Sequence, residues 1–216
     1  MTASMRFTAF DFDANKYEAM LSDVNNLDND RLTAISGLVG ARAVRTQENR
    51  MMVVSNYSSM EALDAANDAH RSIFADIGQY MTGQPLVRSG EMVGIVDGDT
   101  PLSDMGYMRF IRVCFDDSKW DVIQSYMDDN LASAFNGVAG LSRIRIGRLR
   151  EGSIEGKPAI IAAASYDNEA NAQAGMAVAQ KALAGMAEYM TEEPHVRQGE
   201  LVWQFRSDES FRLEDK

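Results

Sequence analysis

The stretch Gln79–Val96, QYMTGQPLVRSGEMVGIV, occurs a second time in the chain as Glu188–Phe205, EYMTEEPHVRQGELVWQF. Nine of the eighteen aligned positions are identical at a constant offset of 109 residues. A repeat of this kind within 216 residues predicts a tandem duplication of two domains, each long enough to bury a core. The predicted division is a first repeat over 1–97, a linker over 98–106, a second repeat over 107–206 and a polar tail over 207–216.

Both copies have the predicted element order βαββαβ. Alternating apolar residues over Arg6–Asp13 predict the first strand, and Asn15 with Glu18 forms a capping box that starts the first helix. A hairpin of two strands follows. Ser58 with Glu61 is a second capping box before the second helix, and a proline then stops that helix ahead of the fourth strand.

Length differences between the copies fall in predicted loops, which supports the element assignment. Gly137 and Gly140 align with Gly37 and Gly40 at an offset of 100 residues. The second copy is therefore predicted to be three residues shorter at the end of its first helix. It is predicted to be nine residues longer in its hairpin, which reads REGSIEGK.

A βαββαβ unit carries both helices on one face of an antiparallel sheet and leaves the other face bare. In a tandem duplication the other copy can cover that face. The predicted fold class is therefore α+β, with two ferredoxin-like units whose antiparallel sheets pack face to face as a pseudo-twofold barrel.

The element order, the repeat length and the strand ending V-R-x-G-E resemble the dimeric α+β barrel proteins, and the chain is similar to a fused pair from the antibiotic-biosynthesis-monooxygenase-like group. The resemblance covers about residues 5–205. It implies small-molecule chemistry, because that superfamily includes cofactor-independent oxygenases, lactone isomerases and haem-degrading enzymes, together with proteins of no known activity.

Composition narrows the choice of partners. The net charge of -11 and the isoelectric point near 4.6 argue against nucleic-acid and anionic-membrane surfaces. A single cysteine, Cys114, forms no internal disulfide, and no apolar stretch is long enough for a membrane span. The expected protein is cytoplasmic and is an internal pseudo-dimer, with any further homo-oligomer left open.

The fourth strand of the second copy offers the candidate catalytic pair, His195 and Arg197. Counting by two along this strand places both on one side, where a neutral imidazole and a guanidinium suit deprotonation of a carbon acid and binding of the enolate. The predicted ligand-contacting residues are Tyr189, Trp203, Phe205 and Arg88. The alternative is structural: the arginine pairs with a neighbouring glutamate, and His195 follows a proline at an exposed strand start.

His70 lies on the apolar stripe of the second helix and aligns with Ala179. A lone histidine on such a face is more often a hydrogen-bonded core residue than a ligand. With two histidines and one cysteine, no zinc site and no cofactor are predicted.

Three functions remain open from the sequence. The first is a cofactor-independent monooxygenase or isomerase that acts on an aromatic or enolic substrate in the second copy. The second is a non-catalytic binding or scaffolding protein, and the third is haem binding or degradation. Whether the protein is an enzyme is left undecided at this stage.

Overall fold

The computed structural model describes residues 2–27 and 29–207. The elements of the first repeat are β1 (Ser4–Asp11), α1 (Tyr17–Asn25), α2 (Asn29–Thr33), β2 (Leu38–Gln47), β3 (Arg50–Tyr57), α3 (Met60–Ala65), α4 (Asn67–Asp76) and β4 (Leu86–Asp97). Those of the second are β5 (Tyr107–Cys114), α5 (Trp120–Phe135), β6 (Leu141–Leu149), β7 (Ala159–Tyr166), α6 (Glu169–Ala174), α7 (Met176–Ala184) and β8 (His195–Arg206). Of the predicted tail, only Ser207 lies within the described residues.

Two compact units divide the chain. Unit 2 is Met92–Leu201, and unit 1 is formed by the residues up to Glu91 and from Val202 onward. The long strands β4 and β8 therefore each contribute one half to either unit. The repeat boundaries at 97 and 107 stay a prediction, because compactness divides the chain by contacts and not by repeat.

The strands of each unit form one antiparallel sheet. In unit 1, β1 lies between β3 and the first half of β4, and β2 lies on the other side of β3. In unit 2, β5 lies between β7 and the first half of β8, and β6 lies on the other side of β7. The hydrogen-bonded order of all eight strands, β1-β3-β2-β8-β5-β7-β6-β4, is that of a closed barrel. The predicted α+β class is confirmed.

Strand register corrects the predicted alignment of the two copies. Leu38 lies opposite Tyr57, and Leu141 lies opposite Tyr166. The offsets are 141 − 38 = 103 and 166 − 57 = 109, so no three-residue deletion follows the first helix and the hairpin insertion is six residues long rather than nine. Sequence spacing misled here because the glycine equivalent to Gly140 is Gly37, and both have a positive φ, 70° and 74°.

Helix starts also differ from the predicted capping boxes. The Asp13 side chain accepts the Asn15 N–H ahead of a short 3-10 turn that leads into α1. Ser59, rather than Ser58, caps α3. The reason is that the Ser58 N–H donates to the Gly37 carbonyl oxygen, so the chain is still held by the preceding hairpin at that residue. The second helix of each copy, predicted as one helix, is two consecutive helices.

Each unit has its own apolar core on the helix side of its sheet. In unit 2 the core is one large cluster that includes Ile123, Met127 and Phe135 of α5 and Ile144 and Ile146 of β6. In the described part of unit 1, the second half of β8 contributes Val202, Trp203 and Phe205 to smaller clusters. No helix within the described residues is long and apolar enough to cross a membrane.

Candidate functional site

A buried arginine of β1 links the sheet of unit 1 to its helices. The Arg6 side chain is 4% exposed. Its Nη2 donates to the Leu63 carbonyl oxygen at 2.9 Å and to Asn67 Oδ1 at 2.6 Å. The guanidinium carbon lies 5.8 Å from the centre of the Tyr57 ring. Arg6 thus brings a positive charge into the layer between strand and helices, where charge interactions are stronger than in water.

Unit 2 repeats this arrangement with Arg109. Its guanidinium carbon lies 5.7 Å from the centre of the Tyr166 ring. Nε donates to Gln198 Oε1 at 3.0 Å, and Nη2 donates to the Ala172 carbonyl oxygen. The arginine–tyrosine pair is therefore common to both copies, which points to a structural role in joining sheet and helices.

His70 distinguishes unit 1 from unit 2. It projects from α4 towards the end of β3, where its Nε2 forms a hydrogen bond with the Tyr57 hydroxyl. The imidazole also stacks on Phe74, with ring centres 6.4 Å apart and an interplanar angle of 22°. The position equivalent to His70 in unit 2 is Ala179, since 179 − 70 = 109. The imidazole is therefore an addition to the common arginine–tyrosine pair.

The Tyr57 and His70 side chains are neutral at pH 7. Tyr57 is fully buried, and burial raises its pKa to about 12. Burial, aided by the positive charge of Arg6, lowers the pKa of His70 to about 4. The protonated Tyr57 hydroxyl then donates to Nε2, and the ring proton of His70 resides on Nδ1.

A cleft of about 300 Å³ opens beside His70. It is bordered by four polar or charged side chains and three apolar ones besides the imidazole: Arg6, Thr8, Asn67, Arg71, Phe74, Pro85 and Val87. The lining thus offers a ligand both hydrogen-bonding groups and apolar surface. We call this cleft the His70 cleft. A second cavity of unit 1, of about 60 Å³ and bordered by Trp203 and Ser55, also reaches His70.

The sequence-predicted pair lies in unit 2. His195 is the first residue of β8, is exposed, and lies opposite Arg112. Arg197 is half-buried and lies opposite Phe110. The pair is on the face of the sheet that does not carry Arg109, because Arg109 lies opposite Gln198 one residue further along β8.

The predicted ligand-contacting residues are divided between the two units. Trp203 and Phe205 pack in the helix-side cores of unit 1, and Arg88 lies opposite Phe7 in that unit. Tyr189, by contrast, packs against the core of unit 2. Counting by two along the whole of β8 was wrong. Gln198 faces the helix side in unit 2, and Trp203 faces the helix side in unit 1. Residues five positions apart in a regular strand point to opposite faces, so the alternation shifts between these two residues.

Sequence reasoning missed the burial of Arg6 and Arg109. The signal was present, because the dipeptide Arg6-Phe7 recurs as Arg109-Phe110 at the same offset of 103 as the other residues of this strand. An arginine within an alternating strand is normally assigned to the solvent side. His70 was correctly interpreted as a hydrogen-bonded residue on an apolar face, but that position also borders the His70 cleft.

The same side chains bear on metal and haem binding. Across the described part of the chain, no group of three or more His, Cys, Asp and Glu side chains could hold a metal ion. Haem iron takes an axial imidazole nitrogen in many proteins. His70 does not fit that role as arranged, because its Nε2 is engaged by the Tyr57 hydroxyl.

Comparisons with known proteins identify the fold. No family model and no curated protein matches the sequence. Among solved structures, a candidate monooxygenase from Fusobacterium nucleatum superposes with a TM-score of 0.76 at 11% identity, covering 95% of each chain. An anthrone oxidase-like protein gives 0.67 at 12%, covering 97% of this chain and 95% of the other.

Chlorite dismutase from Candidatus Nitrospira defluvii is also similar, with a TM-score of 0.61 at 10% identity over 92% of this chain and 90% of that one. The resemblance to fused α+β barrel proteins that the sequence predicted is confirmed at the level of the fold. At these identities the similarity concerns the fold alone, so function has to be argued from the site.

Proposed function

We propose that the protein binds a small enolic or phenolic molecule in the His70 cleft and promotes its oxygenation without a metal or organic cofactor. The observation that carries this proposal is the neutral Tyr57–His70 pair beside the buried positive charge of Arg6. The fold similarity to an anthrone oxidase-like protein and to a candidate monooxygenase supports it.

Arg6 and His70 can stabilise the anion of a bound enol. Arg6 contributes a positive charge, and the Nδ1–H of the neutral imidazole contributes a hydrogen-bond donor. Together they favour the anionic form of a bound enol, because a positive charge and a hydrogen-bond donor both interact more strongly with the anion than with the neutral enol. Since the pKa of His70 is about 4, the imidazole is a weak base. The site therefore suits substrates whose enol or phenol ionises near neutral pH.

An enolate can react with O2 directly. Its carbon bonds to one oxygen atom to give a hydroperoxide, and the hydroperoxide loses water to leave a carbonyl group. Overall, a methylene group and a molecule of O2 become a carbonyl group and a molecule of water, which balances with O2 as the only oxidant. The role of the protein is to hold the anion, and the apolar side chains of Phe74, Pro85 and Val87 in the lining suit an aromatic ring system.

Oxygen uptake with anthrone as the probe tests the proposal. Wild-type protein treated with a chelator should consume O2 and form the quinone, and anaerobic samples should form none. His70→Gln should lower kcat/KM about a hundredfold, the usual effect of removing one such donor. Tyr57→Phe should lower it less, because the imidazole remains but loses its orientation.

His195→Gln and Arg197→Gln are the discriminating variants, since they remove the pair predicted from the sequence. Full activity in these two variants, together with loss in His70→Gln, is the expected result. The reverse pattern would refute the assignment to the His70 cleft and would place the reaction in the second copy.

A second candidate function is ligand binding without catalysis. It is favoured by the low pKa of His70, because a weak base next to a cation makes a good anion site but a poor proton acceptor. In that case anthrone would bind in the His70 cleft, with weaker binding in His70→Gln, and no O2 would be consumed.

A cytoplasmic location and the absence of nucleic-acid binding also remain predictions, drawn from the net charge of -11 and the single cysteine.

A further inference from the structure

A cavity lies between the sheet and the helices of unit 2. Its volume is about 60 Å³. All of the side chains around it are apolar except those of Arg109 and Tyr166. It shares no lining residue with the His70 cleft, so a ligand bound in this cavity would be independent of the function proposed for the cleft.

Arg109 brings an uncompensated charge to this cavity. The residue is 1% exposed, and both of its hydrogen-bond acceptors, Gln198 Oε1 and the Ala172 carbonyl oxygen, are neutral. Its Nη1 is buried and has no acceptor among the described residues. Burying a charged group without a counter-charge and with an unused donor is costly. The environment also lowers the pKa of Arg109, mainly through burial.

Comparison with unit 1 shows what is missing. In unit 1 the Tyr57 hydroxyl is bonded to the imidazole of His70. In unit 2 the equivalent tyrosine is Tyr166, and Ala179 takes the place of the histidine. Ala179 borders the cavity, and no acceptor within the described residues binds the Tyr166 hydroxyl. The smaller side chain thus leaves a space that is bordered by two donor groups and by apolar side chains.

We propose that this cavity binds a short-chain monocarboxylate, whose oxygens accept from Arg109 Nη1 and the Tyr166 hydroxyl and whose alkyl chain lies among the apolar side chains. A carboxylate supplies both the negative charge and the acceptors. A water molecule would supply acceptors but no charge, and apart from the Tyr166 hydroxyl oxygen its own hydrogens would find no acceptor in the lining.

The size of the cavity limits the ligand. A water molecule takes up about 30 Å³ of liquid volume, and an engineered cavity of about 150 Å³ binds benzene. A cavity of about 60 Å³ therefore suits acetate or propionate. Longer acids require the flexible side chains of Met127 or Met186, which border the cavity, to change rotamer.

The test uses the full-length protein at pH 7 and constant ionic strength, with acetate, propionate and butyrate as probes and propionamide as the neutral control. Saturable binding of propionate in calorimetry, with a rise in Tm, is expected, and no response to propionamide. Equal responses to propionate and propionamide, equal responses to propionate and chloride, or no response to any probe at tens of millimolar would each overturn the proposal.

Two substitutions test the location without touching Arg109. Ala179→Leu fills the cavity, and Ala179→His supplies the residue that unit 1 has at this position; both should abolish the response to propionate. Ala184→Leu is the matched control, because it makes the same change at an exposed position of the same helix and should respond like wild type. Retained propionate binding in both Ala179 variants would show that the carboxylate binds elsewhere and would overturn the assignment.

Discussion

Acid should destabilise this protein through His70. The unfolded chain has a histidine pKa near 6.5, whereas in the folded state burial and the charge of Arg6 lower the pKa of His70 to about 4. As the pH falls, the unfolded state takes up the proton first. The neutral imidazole therefore contributes stability in full above pH 6.5, and this contribution is lost as the pH falls towards 4.

The magnitude follows from the shift. A difference of one pKa unit corresponds to about 1.4 kcal/mol, so the shift of His70 limits the effect to about 3 kcal/mol. At pH 5, about 2 kcal/mol of this would already be lost relative to pH 7.5. With an m-value of about 2 kcal/mol/M, that loss corresponds to a fall of about 1 M in the urea midpoint.

Urea unfolding of wild type, His70→Gln and His195→Gln between pH 7.5 and pH 5 measures the effect. Carboxylates titrate alike in all three proteins, so the difference in slope between variants isolates the histidine. His70→Gln should flatten the pH dependence by about 2 kcal/mol. His195→Gln removes the other histidine of the sequence, which is exposed, and is the matched control for removing an imidazole that does not contact Tyr57.

A direct reading comes from NMR titration of the two imidazole rings. Parallel pH dependence of wild type and His70→Gln would refute the reasoning, as would a His70 titration midpoint above pH 6 in the folded protein. Either result would mean that the imidazole reaches water and that the Tyr57 hydrogen bond does not hold the neutral ring in place.

Two further predictions concern other parts of the molecule. In a urea titration, Gly140→Ala should lower the unfolding free energy by clearly more than Gly137→Ala. Both positions have φ of 70°, and each substitution should cost about 1 kcal/mol for that conformation. Only at Gly140 would the new Cβ also meet the Asp167 and Asn171 side chains. Equal losses would show that those side chains move aside. The net charge of -11 predicts no binding to a random DNA duplex at physiological salt, and salt-sensitive micromolar binding in a fluorescence assay would contradict it.

The fold could be predicted because the sequence contains two copies of the same pattern of strands and helices. Each copy tests the element assignment of the other, because a strand or helix that is assigned wrongly in one copy does not align with its equivalent in the other. The repeat register failed only where glycine spacing suggested a second solution, at Gly37 and Gly40, because spacing carries no information on which glycine has a positive φ. Strand pairing removed that ambiguity.

The site was harder to predict, for two physical reasons. Side-chain alternation along a strand holds only while the strand is regular, and β8 changes its alternation between Gln198 and Trp203 as it passes from one unit to the other. Buried arginines such as Arg6 are rare, and a single sequence gives no indication that a helix carbonyl oxygen lies within reach of the guanidinium.

Comparison of the two copies separates structural from functional residues. The arginine–tyrosine pair occurs in both units, so it explains how each sheet holds its helices and not what distinguishes them. Three polar residues that line the cleft of unit 1 are apolar in unit 2. Thr8, Asn67 and His70 are replaced by Ile111, Met176 and Ala179.

These three replacements have a common consequence. The cleft of unit 1 is lined by several polar side chains, whereas Arg109 is the only charged residue among those that line the cavity of unit 2. Loss of a large polar side chain from a core normally selects for larger apolar neighbours that fill the space. Ala179 leaves the space open, and a buried charge borders it, so a bound anion accounts for the cavity better than packing does. The two copies are therefore expected to bind different ligands, and a single substitution in each, at His70 and at Ala179, tests them independently.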